Sequence, residues 1–236
     1  MQRISITVDV EQDCPPLLES MRGVEEGLPR LLELFKEERI RATFFVTGRV
    51  AELYPGIIEE IVEQEHELGC HGYAHERYDR LGLRQAEKAI VRATEILSCF
   101  DDGLVSFRAP NLKFPARFLR LLEAEGYLAD SSVAKYKPPF SRGTVTAGKI
   151  VRVPVSVTSS LLRLPLRFVL PLLSRIRDPV LFVHPWEFVD LQNEKVRLDC
   201  KYNTGSGALR NLRQLIRYFK SRGYMFATIR DMAGLP

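Results

Sequence analysis

Short runs rich in β-branched and aromatic residues alternate with amphipathic segments along the whole chain, and that alternation limits the fold more than any other feature. RISITVDV, ATFFVTG, VSFRAP, KIVRVPVSV, VLFVHP and YMFATI read as strands, and YLADSS as extended. Between them, GLPRLLELFKEERI places Leu28, Leu31, Leu32 and Phe35 at helical spacing. YPGIIEEIVEQEHELG reads as a helix stopped by Gly69. RQAEKAIVRATEILSCF puts Ile90, Ala93, Thr94 and Leu97 on one face, and PARFLRLLEAEGY starts a helix at Pro115 and ends it at Gly126. In GALRNLRQLIRYFKSRGY, Leu209, Leu212, Ile216 and Phe219 form the stripe and Gly223 the stop. Helix and strand exchange about seven times, which predicts an α/β fold with a largely parallel sheet. No low-complexity linker or internal repeat divides the 236 residues, so one domain, 1–236, is expected. A closed or partly closed β/α barrel of this length carries its site at the C-terminal ends of its strands.

The polar residues at those ends are therefore the candidates. The first strand ends in Asp9-Val10-Glu11-Gln12-Asp13; in an extended run the three carboxylates share a side and need a cation or water between them. Two of the chain's four histidines, His71 and His75, stand four apart in CHGYAHE, a spacing that in a helical turn lets both imidazoles reach one ion. His66 sits at a helix-to-strand junction and reads as a structural histidine. Arg108 opens Arg108-Ala109-Pro110-Asn111 after the strand VSF; an arginine there can grip a carboxylate in two-pronged geometry. His184-Pro185-Trp186-Glu187 follows the apolar strand VLFV, with the chain's one tryptophan set either to pack the histidine or to line a groove. Taken singly, each cluster is equally consistent with an ordinary turn, a solvated strand end or a satisfied core histidine.

In their order, the four clusters resemble the polysaccharide deacetylase family (NodB-homology, carbohydrate esterase family 4-like). TVDVEQD is similar to the branch that carries DVE or DVD at the first strand. RATFFVTGRVAELYP, HELGCHGYAHERYDRL, SFRAPN, VLFVHPWE and YFKSRGYMFATIRDM each resemble a family segment, from Ile4 to Met232. The resemblance implies a distorted (β/α)7 barrel, the NodB-homology fold, and metal-dependent hydrolysis of an N-acyl group. Asp9 then stands at the general base, His71 and His75 at the metal-binding histidines, and Arg108 at the arginine that positions Asp9. The backbone N–H of Asn111 falls where the oxyanion is bound, and His184 at the general acid. Val10 replaces the usual metal-binding aspartate, so the carboxylate ligand is expected at Glu11, with Asp13 the second choice. Asn111 replaces a frequent tyrosine, a change in the pocket wall.

The residue chemistry fits those roles. Two imidazoles and a carboxylate form a hydrolytic zinc set with positions left open, and they also suit cobalt, nickel or iron. The expected substrate is an acylated amino sugar in a glycan, a lipid-linked carrier or a nucleotide sugar. A hydrolase of a non-sugar amide and a non-catalytic carbohydrate- or lipid-binding relative are the alternatives, the latter supported by Val10. A net charge of +4 without a Lys/Arg block argues against nucleic acid. No apolar run is long enough to span a bilayer, no basic-then-apolar leader opens the chain, and the four cysteines form no CxxC. A cytoplasmic protein with free thiols is the expectation. SLLRLPLRFVLPLLSRIR, 160–177, is either a segment meeting a membrane-borne substrate or a barrel helix, whole or broken at Pro171. The turn-rich stretch 133–149 is either a loop over the site or a long connection.

Overall fold

The computed structural model describes residues 2–138, 140 and 143–236. The strands are β1 (Arg3–Val10), β2 (Thr43–Val46), β3 (Glu67–Cys70), β4 (Ser106–Phe107), β5 (Ala129–Asp130), β6 (Val145–Ala147), β7 (Ile150–Arg152), β8 (Val180–Val183) and β9 (Met225–Phe226). The helices are α1 (Leu28–Glu37), α2 (Gly48–Leu53), α3 (Pro55–Glu63), α4 (Leu83–Leu97), α5 (Leu119–Ala124), α6 (Leu166–Leu173), α7 (Leu198–Lys201), α8 (Ser206–Ser221) and α9 (Ile229–Ala233). The sheet runs in the order β6-β7-β5-β4-β3-β2-β1-β8, with β9 beside the start of β1. Strands β7, β5, β4, β3, β2, β1 and β8 are parallel, and β6 adds an antiparallel edge.

The two ends of this sheet curl toward each other. Beyond β7, Ser156 N–H donates to the Val180 carbonyl at 2.8 Å, and Val180 N–H donates to Ser156 Oγ at 3.0 Å. This short seam, in place of a full ladder, makes the barrel a distorted one.

Strand β1 shows how the sequence places the site. Ile4, Ile6, Val8 and Val10 pack into the layer beneath the helices, among Leu28, Leu32, Phe35 and Ile216. Alternation then points Ser5, Thr7 and Asp9 to the other side, where Phe45 and Phe182 also lie. The outer layer forms because each long helix offers an apolar stripe: α4 buries Ala86, Ile90, Ala93 and Leu97, and α8 buries Leu212, Leu215, Ile216 and Phe219. The polar interior is the unusual half, and it is the half that carries function.

One expectation changes and two open readings narrow. The helix expected to run on to Gly69 ends at Glu63; Glu65 turns with φ 60°, and Glu67–Cys70 is strand β3, paired with β2. Gly69 is needed there for close approach, since a Cβ would meet the Phe45 ring at 2.7 Å. Pro171 does not break the segment 160–177: α6 passes through it, burying Val169 and Leu173 while Phe168 stays 65% exposed. The stretch 133–149 is partly a hairpin, with β6 paired to β7 and Ala134 bridged to Val155; its residues 139, 141 and 142 lie outside those described. Among the described residues, no helix is long and apolar enough to cross a membrane.

Candidate metal centre and active site

Glu11, one residue past β1, lies between the two histidines. Its Oε2 is 3.2 Å from His71 Nε2 and 2.9 Å from His75 Nε2, and one ligand atom from each residue falls within 4.8 Å of the others. Asp13, the second choice, is turned away. The strand ends at Val10 and the chain bends, so the alternation that would align Asp13 with Glu11 stops. Asp13 instead accepts from Ser20 Oγ at 2.7 Å and Gly23 N–H at 2.8 Å, pinning the loop that leads to α1.

His71 and His75 come together without a helix. His71 directly follows β3, and residues 71–75 form a loop with Gly72 at φ 76° and His75 at φ 59°. Glu76 holds the loop by accepting from Tyr73 N–H (3.0 Å) and Ala74 N–H (2.8 Å). A side chain at Gly72 would strike Glu76 and Tyr78. These bonds bring the imidazole centroids to 6.0 Å.

The donor set fits a cation. His71 Nδ1 donates to the Arg108 carbonyl at 2.8 Å, so Nε2 of the neutral ring turns a lone pair toward the Glu11 carboxylate. Two lone pairs at 3.2 Å repel unless a proton or a metal ion lies between them. With protons on the ring nitrogens that face Glu11, burial raises its pKa, but the hydrogen bonds from His71 and His75 and the charges of His75 and His184 outweigh burial and hold the carboxyl well below the usual range; a cation in the place of those protons acts in the same direction.

Arg108 is wholly buried beside this cluster. Its Nη1 donates to Asp9 Oδ1 and Thr7 Oγ1, each at 2.6 Å, and its Nη2 to Ser131 Oγ at 2.8 Å. The Phe45 ring lies 4.3 Å from the guanidinium carbon. The grip on Asp9 is single-pronged rather than the two-pronged one anticipated, because the second nitrogen is spent on Ser131.

His184 faces the cluster from β8, with Nε2 3.7 Å from Glu11 Oε1. Trp186 stacks on it at 4.7 Å between centroids, so the tryptophan packs the histidine and also lines the groove. Glu187 accepts from His184 Nδ1 at 2.8 Å and pairs with Arg163 Nε at 2.9 Å. Burial lowers the His184 pKa, but the Glu187 hydrogen bond and the charges of Glu11, Glu187 and Asp9 outweigh it and lift it to about 9. The proton it holds at neutral pH is the one a departing amine needs.

Asn111 adopts φ 59°, ψ 12° in the turn after β4 and lines the same groove; its carbonyl accepts from Lys137 Nζ at 2.6 Å. His66 stands apart. Its Nδ1 accepts from Ala42 N–H at 3.3 Å between Phe35 and Phe44, and burial lowers its pKa to about 4. Sequence reasoning left Glu76, Arg163 and Glu187 without roles. Two of them adjoin the quoted histidine motifs, and a carboxylate that close to a histidine was the available signal.

A groove of about 430 Å³ opens over Asp9, Glu11, His71, His75, Asn111 and His184. A family model described as Polysaccharide deacetylase matches residues 2–129, more than half of the chain. The chain belongs to the polysaccharide deacetylase family. Over 110 residues it is 37% identical to the peptidoglycan deacetylase of Helicobacter pylori, covering 46% of this chain and 38% of that one. Over 84 residues it is 32% identical to the chitooligosaccharide deacetylase of Sinorhizobium fredii, covering 35% of this chain and 39% of that one. The matches thus span well under half the length of these curated relatives. Among solved structures, a Mycobacterium smegmatis protein matches with TM-score 0.74 at 20% identity, over 99% of this chain and 90% of that one. A family 4 carbohydrate esterase from Streptomyces lividans matches with TM-score 0.63 at 14% identity, over 96% and 92%. A CE4 family pseudoenzyme from Bacillus anthracis matches with TM-score 0.67 at 16% identity, over 99% and 66%. These likenesses establish the polysaccharide deacetylase fold, and the pseudoenzyme shows that the fold also exists without the activity.

Proposed function

We propose that this polysaccharide deacetylase-family chain is a metal-dependent hydrolase that removes an N-acyl group, acetyl in the first instance, from an amino sugar. The observation that carries the reading is the convergence of Glu11, His71 and His75 on one point, with Asp9 and His184 lining the same groove. Glu11, His71 and His75 would hold a divalent ion, zinc by preference, and that ion would supply Lewis-acid activation of the amide carbonyl and of the attacking water. Asp9 accepts the proton of the attacking water, and Arg108 fixes the orientation of its carboxylate. The Asn111 N–H supports the oxygen that gains charge. His184 hands its Nε2 proton to the nitrogen as the C–N bond breaks, and Glu187, accepting from Nδ1–H, orients the ring and stabilises its cationic form. Polymer, lipid-linked and nucleotide-sugar substrates all present that group.

Acetate release from N-acetylglucosamine oligosaccharides tests the reading through its pH profile. His184 is raised toward about 9, so the acid form persists at neutral pH and is lost as pH climbs through that value. A cation on Glu11 offsets the share of the shift that Glu11 supplies, which places the limb below 9. Activity falls on the alkaline side, and Glu187→Gln, by removing a negative charge, moves that limb to lower pH. Absence of acetate from the metal-loaded wild type contradicts the deacetylase reading, and an unmoved limb in Glu187→Gln removes His184 from the acid role.

A further inference from the structure

Beside the groove lies a second cleft, of about 680 Å³, between the 3-10 segment Ser159–Arg163 and α7. Its walls are Leu161, Leu164, Leu198 and Tyr202, and Leu198 is 73% exposed. An apolar surface held open to solvent is a cost unless something covers it. The walls are also held rigidly. Arg163 donates to the carbonyls of Cys200 (3.1 Å), Tyr202 (2.6 Å) and Asp199, and Asn211 Nδ2 donates back to the Leu162 and Leu164 carbonyls at 3.2 and 3.0 Å. The cleft is pre-formed, as small-molecule sites are.

Two features say what enters it. Thr158, Ser160 and Asp199 line both the cleft and the groove over the metal centre, so one ligand can occupy both. Arg163, which ties the cleft's walls together, pairs with Glu187, which holds His184. The cleft therefore lies on the side where the amine leaves, the side of the sugar. In the deacetylase reading the acyl group is the part that meets the Asn111 N–H, and Asn111 lines the groove but not the cleft. We propose that this cleft binds a linear alkyl chain attached to the sugar, so that the substrate is an amphiphilic amino sugar, its chain a glycosidic substituent. This deepens the deacetylase reading and rests on it.

The test compares octyl and methyl glycosides of N-acetylglucosamine, the octyl compound kept below its micelle concentration, with acetate release as readout. The octyl glycoside is expected to show kcat/KM at least about tenfold higher, through KM. The octyl-to-methyl ratio, which a general loss of activity leaves in place, falls to about one in a Leu164→Asp/Leu198→Asp variant. A wild-type ratio near one overturns the inference, as does a gain seen only when the eight-carbon chain is the N-acyl group. So does loss of binding to phosphatidylglycerol vesicles in the variant with the ratio intact, which makes the face a membrane contact. A turnover-free arm separates the two readings: calorimetric binding of octyl glucoside, which has no N-acyl group, against methyl glucoside. Tighter octyl binding that the variant abolishes, with no acetate from either N-acetyl glycoside, keeps the cleft and removes the deacetylase. Equal binding overturns the cleft whatever the activity.

Discussion

Asp9→Asn lowers kcat for acetate release by about 10²- to 10⁴-fold, the range that a positioned general base supplies, while the chain keeps its metal. The substitution preserves shape and the oxygen that faces Arg108 at 2.6 Å, and removes only the capacity to take a proton. Asp9 is absent from the set of atoms that meets at Glu11, so its loss leaves the ion's donors in place. Kinetics and metal content measured on the same preparation check both halves. A variant with wild-type kcat takes Asp9 out of the chemistry; one that loses the metal makes it a ligand instead.

Arg108→Leu costs about 3–5 kcal/mol of stability, because removing one partner of a buried pair strands the other charge. Arg108 is the largest of the fully buried side chains, and Asp9 and Thr7 both accept from it. Leucine fills part of the volume beside Phe45 but leaves Asp9 without its counter-charge in the barrel interior. Urea unfolding reads the loss as a lower midpoint at constant m. Adding Asp9→Asn to Arg108→Leu recovers part of it, since the stranded charge is gone. A loss below about 1 kcal/mol, the size of an exposed pair, contradicts the account of the interior.

Much of the fold was legible in the sequence because burial requires a period. The stripe of Leu28, Leu31, Leu32 and Phe35 is buried as its spacing demands, and the uninterrupted apolar run VLFV is a strand covered on both sides. Strand β3 was hidden because ELGC is four residues long and continues a helical pattern; the β2 and β4 neighbours that make it a strand come from distant sequence. The fold class and the four clusters, read together, pointed to the family that the match over residues 2–129 establishes.

The site was legible in its residues and less so in its geometry. The spacing of His71 and His75 suggested a helical turn, but the pair is made by a loop that Glu76 holds from within. Period-two alternation placed Asp9 and Glu11 on the groove side and failed at Asp13, because alternation ends where the strand ends. Arg163, in the segment 160–177, had no role assigned from the sequence and is buried against Glu187 and three carbonyls, contacts no local pattern could announce. Glu187 needed only its position three residues after His184.

Metal content after chelation and reloading with zinc tests the central claim most directly, measured on the wild type beside Glu11→Ala and His71→Ala. The geometry predicts about one tightly held ion per wild-type chain and little in either variant, since each removes one of three protein ligands. Equal, low retention by all three proteins would contradict it, and with it the metal-dependent hydrolase.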